Sequence, residues 1–326
     1  MVRLHDSPPQ SHLPQALKRS QTFILCKKSM PPTPIQTTHN SLYRLGCPVW
    51  NCDAWKGSVY PATAAKDRWL SHYTKTFNTV EGNSTFYGIP GPDTFRRWAD
   101  QSADGFRFAL KFPRVVSHER ELVGAETETG LFLDGLQILH DAKRLGTSFL
   151  QLGPRFGPSG LAALQLYLDR LPSEFPFAVE VRHPAWFEGG LEKELNQLLE
   201  FHDIDRVMFD SRPLFASPPK DESEIKSQSR KPRSPIRDFV TGPRPMLRLV
   251  GRNDLSAADP WIEEWVPKVA TWIRDGLQPY VFLHAPDDAF APQLAMRFHN
   301  ALAEKIHSLE PIDSWPHSVE VQQQLF

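Results

Sequence analysis

The stretch Phe177-Ala-Val-Glu-Val-Arg-His-Pro-Ala-Trp186 begins as an apolar strand and ends in a carboxylate, a guanidinium and an imidazole. Side chains alternate along a strand. With Phe177, Val179 and Val181 on one face, Ala178, Glu180 and Arg182 share the other, and His183 falls just past the end. A strand buried only for packing has no need of three such groups at its C-terminal tip. The segment reads as a buried strand that delivers a site.

Other segments repeat the pattern. Strands are predicted at Tyr43-Gly46, Thr79-Glu81, Phe106-Lys111, Ser148-Leu152, Phe177-Val181, Arg206-Phe209, Met246-Val250 and Tyr280-Leu283. They are separated by amphipathic stretches at 66–77, 93–100, 128–145, 159–171, 191–201, 261–275 and 292–309. Strands alternating with helices in this way predict repeated βα units, and eight units predict a closed (β/α)8 TIM barrel of α/β class. Gly146 and Gly276 stand where left-handed helix C-caps would fall. The barrel is a single domain over 41–309. Residues 1–40, rich in Pro, Ser, Gln and His, read as a disordered extension, and 310–326 as a C-terminal tail. Between the sixth and seventh strands, 211–245 is polar, proline-rich and locally basic, and reads as a long loop with at most one helical turn near Glu222-Ser227.

A barrel of this kind places its site at the C-terminal strand ends, where alternate residues point inward. Seven strands put polar residues in that register: Glu81 and Asn83, Lys111, Gln151, Glu180 and Arg182, Asp210, Arg248 and His284. Their neighbours Val80, Leu110, Leu150, Leu152, Val179, Val181, Phe209 and Leu249 are then expected against the helices. In this set Glu81, Glu180 and Asp210 balance Lys111, Arg182 and Arg248, as a self-neutralising buried network would. Such a network needs no histidines at its rim, yet His118, His183 and His284 lie at or just after strand ends, where a group titrating near neutrality can carry protons. Trp50, Phe86, Tyr87 and Trp186 follow strand ends and are candidate walls for a ligand.

The composition narrows the class. The 326 residues are 40% hydrophobic and 23% charged, with a net charge of -1 and no apolar run long enough to span a membrane. A cytoplasmic enzyme is the expectation. Cys26, Cys47 and Cys52 have neither metal-ligand nor disulfide spacing and read as thiols.

In order along the chain, Gly46-Cys-Pro-Val-Trp50, Glu81-Gly-Asn-Ser-Thr-Phe-Tyr87, Phe106-Arg-Phe-Ala-Leu-Lys-Phe-Pro113 with Ser117-His118, Gln151-Leu152, Glu180-Val-Arg-His-Pro-Ala-Trp186, Asp210-Ser-Arg-Pro213 and His284-Ala-Pro-Asp287 resemble the YecE-like proteins, a family of unknown function. The resemblance runs from about Leu42 to Ile306. It implies a TIM barrel with a pocket at the strand ends. Val250 stands where much of that family has a histidine.

Three functions fit these residues. In the first, Lys111, Arg182 and Arg248, with Gln151, Asn83, His118, His284 and the aromatic residues Trp50, Tyr87 and Trp186, bind a small anionic substrate, phosphorylated or carboxylated. Glu180, His183, Glu81 and Asp210 then do acid-base work in a hydrolase, isomerase or lyase. In the second, carboxylates and imidazoles at Glu81, Glu180, His183, Asp210 and His284 hold a divalent metal, a reading opposed by the three cations in the same place. In the third, the basic 220–244 tract follows the phosphates of a nucleic acid or nucleotide while aromatic side chains stack on bases.

Overall fold

The computed structural model describes residues 41–318. The predicted extension over 1–40 and the end of the predicted tail, 319–326, lie outside the described residues.

Eight parallel strands form where the apolar runs were read: β1 Arg44–Gly46, β2 Thr79–Gly82, β3 Arg107–Leu110, β4 Ser148–Gln151, β5 Phe177–Glu180, β6 Asp205–Asp210, β7 Met246–Val250 and β8 Tyr280–His284. Six make one curled sheet in the order β1-β8-β7-β6-β5-β4, and β2 pairs with β3. A few bonds join the two sheets. Phe112 N donates to Phe149 O at 3.0 Å and Gly146 N to Phe108 O at 2.8 Å, linking the β3 and β4 segments. On the other side Glu81 N donates to Cys47 O at 3.1 Å. The Asn78 amide binds Leu45 N and Tyr43 O, standing in for a ladder partner between β1 and β2.

These strands are apolar on both faces because both faces are covered. Inside the curl, Ala109, Phe149, Ala178, Val207, Met246, Tyr280 and Phe282 form one buried cluster. Outside it, Val80, Phe108, Leu110, Leu150, Val179, Leu247, Leu249 and Leu283 belong to a larger cluster with side chains of the flanking helices, among them Tyr73, Phe95, Trp98, Phe132, Leu136, Leu199, Trp265 and Phe298. Those helices span Trp69–Thr76, Pro92–Gln101, Glu126–Asp141, Leu161–Leu168, Gly189–Phe201, Asp259–Arg274 and Ala291–Ala303. The start of the tail packs too: Asn300 exchanges two hydrogen bonds with the Ile312 backbone, and Trp315 is buried against Phe77.

Two local expectations change. Gly276 does adopt the left-handed conformation, with φ +81°, but after Glu126–Asp141 it is Lys143, at φ +58°, that turns left-handed. Gly146 is small for another reason: an added Cβ would stand 3.0 Å from both the Arg107 Cβ and the Phe108 carbonyl oxygen. The 211–245 segment, expected to hold at most one helical turn, contains a nine-residue helix, Glu222–Arg230. Asp221 caps it by accepting from Glu224 N at 2.9 Å, a strong local start signal inside a polar stretch.

Close approach between β1 and β2 rests on Gly46, where a Cβ would lie 2.3 Å from the Thr79 carbonyl oxygen. Backbone cannot yield as a side-chain end can. Gly46→Ala is expected to cost on the order of 3 kcal/mol, read as a lowered urea midpoint. An unchanged midpoint would mean that the β1–β2 contact is not fixed in solution.

Candidate functional site

The C-terminal strand ends converge on Arg248. Its guanidinium, buried on β7, donates from Nε to Glu81 Oε2 at 2.8 Å and from Nη2 to Glu81 Oε1 at 2.7 Å, while Nη1 pairs with Glu180 Oε2. Glu180 Oε1 accepts from Arg182 Nε at 2.7 Å, and Arg182 Nη2 reaches Gln151 Oε1 at 2.8 Å. Asn83 donates to Glu81 Oε1 at 2.8 Å and to Pro48 O at 3.1 Å, and His284 Nε2 lies 2.9 Å from Glu81 Oε2. Aromatic faces support the cations. Arg248 sits over Phe149 and Phe209 at 5.0 and 5.3 Å, and Arg182 over Phe209 at 5.1 Å.

The electrostatics follow from burial and pairing. Burial alone would raise the Glu81 carboxyl, yet Arg248 and then His284 hold it well below the usual carboxylate range. Burial likewise opposes ionisation of Glu180, but Arg248, Arg182 and Lys111 pull it down to about 2. Burial lowers His284 to about 4, despite Glu81, so its imidazole is neutral at pH 7. These carboxylates are fixed counter-ions rather than proton carriers.

Two lysines differ from the arginines. Lys111 Nζ, buried at the end of β3, lies 3.8 Å from the Phe86 ring centroid, and among the described residues no carboxylate stands within ion-pair distance of it. Burial first, then the Arg248 and Arg182 charges, push it down to about 7. Lys231 follows the Glu222–Arg230 helix and reaches over Phe209 at 5.8 Å, again with no acid in ion-pair reach among the described residues. Burial and then Arg248 lower it to about 8. At the rim, burial raises Asp288 to about 6 against the pull of Lys231.

The segment carrying Lys231 is pinned down. Its Glu224 forms a fully buried ion pair with Arg252, whose guanidinium also donates to the Ser217 and Pro218 carbonyls. Asn253 binds Asp221 and Ser223, and Ser211 Oγ donates to Pro232 O at 2.6 Å.

Several predicted site residues are placed elsewhere. Asp210 was expected inward and Phe209 outward, but the register is the reverse. Asp210 accepts from Trp265 Nε1 at 2.8 Å on the helix side and pairs with Arg212, while Phe209 lies beneath the guanidinium groups. Trp186 is fully buried with its indole N–H on Phe156 O, and Trp50 packs edge-on against Trp98 and Phe108; neither walls the mouth. Tyr87 is 82% exposed, edge-on to Phe86. His183 accepts from Ala185 N at 3.2 Å as the cap of a short turn, with its ring against Gly157, and no contact joins it to Glu180. His118 does face the mouth. Its Nδ1 lies 2.9 Å from Ser117 Oγ, its ring is edge-on to Phe86, and burial followed by Lys111 lowers it to about 4.

The expected charge balance therefore fails. Asp210 leaves the set and Lys231 joins it, so four cations face Glu81 and Glu180, with Asp288 at the rim.

A family model described as a protein of unknown function, DUF72, matches residues 44–318. The chain belongs to the DUF72 family. This DUF72 chain is 36% identical over 273 residues to the UPF0759 protein YecE of Escherichia coli K12, spanning 83% of this chain and 97% of that one. It is 25% identical over 138 residues to YunF of Bacillus subtilis, 40% of this chain and 48% of that one. Two crystal structures of DUF72 family proteins share the fold. The one from Thermotoga maritima aligns with TM-score 0.59 at 22% identity over 78% of this chain and 97% of that chain. The one from Enterococcus faecalis gives 0.58 at 20% identity over 81% and 97%.

In the DUF72 chain the donors proposed for a metal do not assemble. Guanidinium groups engage Glu81 and Glu180, Asp210 and His183 point elsewhere, and among the described residues no three His, Cys, Asp or Glu side chains converge. The basic tract is not one cationic strip either. Lys220 pairs with Asp254, Arg237 with Glu192 and Arg244 with Asp203 and Asp205. Among the described residues no helix is long and apolar enough to cross a membrane.

Proposed function

We propose that this DUF72 protein is an enzyme acting on a small phosphorylated or carboxylated substrate by proton transfer, in the mouth of a closed (β/α)8 barrel. The few bonds joining β1 to β2 and β3 to β4 support closure. One observation carries the ligand class: the buried Lys111 and the partly buried Lys231 stand beside Arg182 and Arg248 with no acid in ion-pair reach among the described residues. Burying a cation without a counter-ion is costly, and an anionic ligand repays it. Glu81 and Glu180 position the guanidinium groups, and Arg182 presents the remainder of its fork to the substrate. His118, a neutral imidazole beside Lys111, is available as a proton acceptor.

Calorimetric titration with inorganic phosphate tests this reading. Saturable binding is expected, weakened about tenfold in Lys231→Met, as loss of one charge-assisted hydrogen bond would give. Absence of saturable binding in the unmodified protein would remove the anion site.

A further inference from the structure

Lys111 differs from the other cations of the mouth in what it can do. A guanidinium binds anions but does not lose its proton, whereas an amine beside other cations, in an apolar setting, is a nitrogen nucleophile that can attack a carbonyl carbon. The Lys111 side chain leaves the end of β3 and its Nζ rests on the Phe86 ring at 3.8 Å, with no hydrogen-bond acceptor or carboxylate holding it among the described residues. The Arg248 and Arg182 charges act on it, and each of those guanidinium groups pairs with Glu180. The His118 ring meets the same Phe86 ring edge-on at 5.1 Å, so the amine and a neutral imidazole flank one aromatic platform.

We propose that the Lys111 amine forms an imine with a small anionic carbonyl compound, such as a 2-oxo acid or a phosphorylated ketone or aldehyde. The proposal rests on the anion-site reading above. Nζ attacks the carbonyl carbon with its lone pair, and the carbonyl oxygen takes up a proton to give a carbinolamine. Nitrogen then expels that oxygen as water, so one C–O bond is broken and a C=N bond formed, with no net oxidation. His118 passes the protons between nitrogen, oxygen and solvent. Lys231 and Arg182 hold the phosphate or carboxylate, which sets the carbonyl at the amine rather than at random. The protonated imine then draws electrons from the adjacent carbon, the step shared by proton abstraction and carbon–carbon cleavage next to a carbonyl. The lowered affinity of Lys111 for its proton supplies free amine at neutral pH.

Borohydride trapping decides the matter. The unmodified protein is incubated with pyruvate, and separately with dihydroxyacetone phosphate, then reduced and mapped by peptide mass spectrometry. Lys111 is expected to be the major labelled residue with at least one probe, and the label to be lost when inorganic phosphate is added before the probe. Label confined to exposed lysines, or carried by Lys231, in protein that binds phosphate by calorimetry overturns the inference and leaves the anion site standing. Failure of phosphate to bind at all overturns the reading on which it rests.

Discussion

Arg248→Leu lowers the stability of the folded protein by about 3–5 kcal/mol at pH 7, the range for removing one partner of a buried ion pair. Arg248 is the shared counter-ion of two fully buried carboxylates, bidentate to Glu81 and bonded to Glu180. Without it both acids stay in a low-dielectric place with weaker partners, Glu81 with Asn83 and His284, Glu180 with Arg182. The pH dependence changes sign with the substitution. In the unmodified protein both carboxyls titrate below their unfolded values, so their contribution is present above about pH 4.3 and is lost on acidification, that of Glu180 as pH falls toward about 2. In Arg248→Leu burial prevails at Glu81, its folded pKa rises above the unfolded one, and stability recovers on acidification from pH 7 to 5. Urea denaturation at several pH values reads both effects. Adding Glu81→Gln should restore part of the loss, because it removes one uncompensated charge. A single-variant loss below about 1 kcal/mol would show that water already solvates these carboxylates.

The strands were legible because parallel strands buried on two faces must be short apolar runs, and helices between them must be amphipathic. Glu81, Lys111, Gln151, Glu180, Arg182, Arg248 and His284 followed from counting by twos along those strands. The same counting failed on β6, whose two acids lie an odd number of residues apart and so on opposite faces. Polarity alone points Asp210 inward, whereas Val207 in the interior cluster fixes Phe209 as the inward residue. An arginine-lined mouth has a use for an aromatic face, and that was the missed signal. Trp50 and Trp186 misled for a related reason: an indole needs one hydrogen bond and much packing, and position after a strand end does not distinguish packing from a ligand wall. Lys231 was visible only as one of many basic residues. Its placement depends on the Asp221 cap, the Glu224–Arg252 pair and the Ser211–Pro232 bond acting together, and those long-range contacts have no local period. Asp288 was passed over next to Asp287, which only caps Ala289 N.

Lys111→Met moves binding and stability in opposite directions. When folded, Lys111 keeps its proton only up to about pH 7, against about 10.4 for an unfolded lysine. Between those values the unfolded chain binds more protons, so the stability of the unmodified protein rises with pH across that window. Lysine at this position therefore destabilises the folded state at and below pH 7, and Met, of similar length and apolar, relieves the cost. We expect a gain on the order of 2 kcal/mol at pH 7, vanishing as pH approaches 10. Anion binding runs the other way. Sulfate, whose charge is constant over this range, should bind the unmodified protein more weakly as pH rises through 7 and 8, where Lys111 and Lys231 lose their protons. Below pH 6 protonation of Asp288 strengthens it further. In Lys111→Met affinity falls roughly tenfold at pH 6, as for loss of one charge-assisted contact, and the step near pH 7 disappears while that near 8 remains. A variant that loses both stability and sulfate affinity would mean that Lys111 is a packing residue held by Phe86. A gain in stability paired with a loss of binding is the signature of a site that keeps an unpaired cation for its ligand.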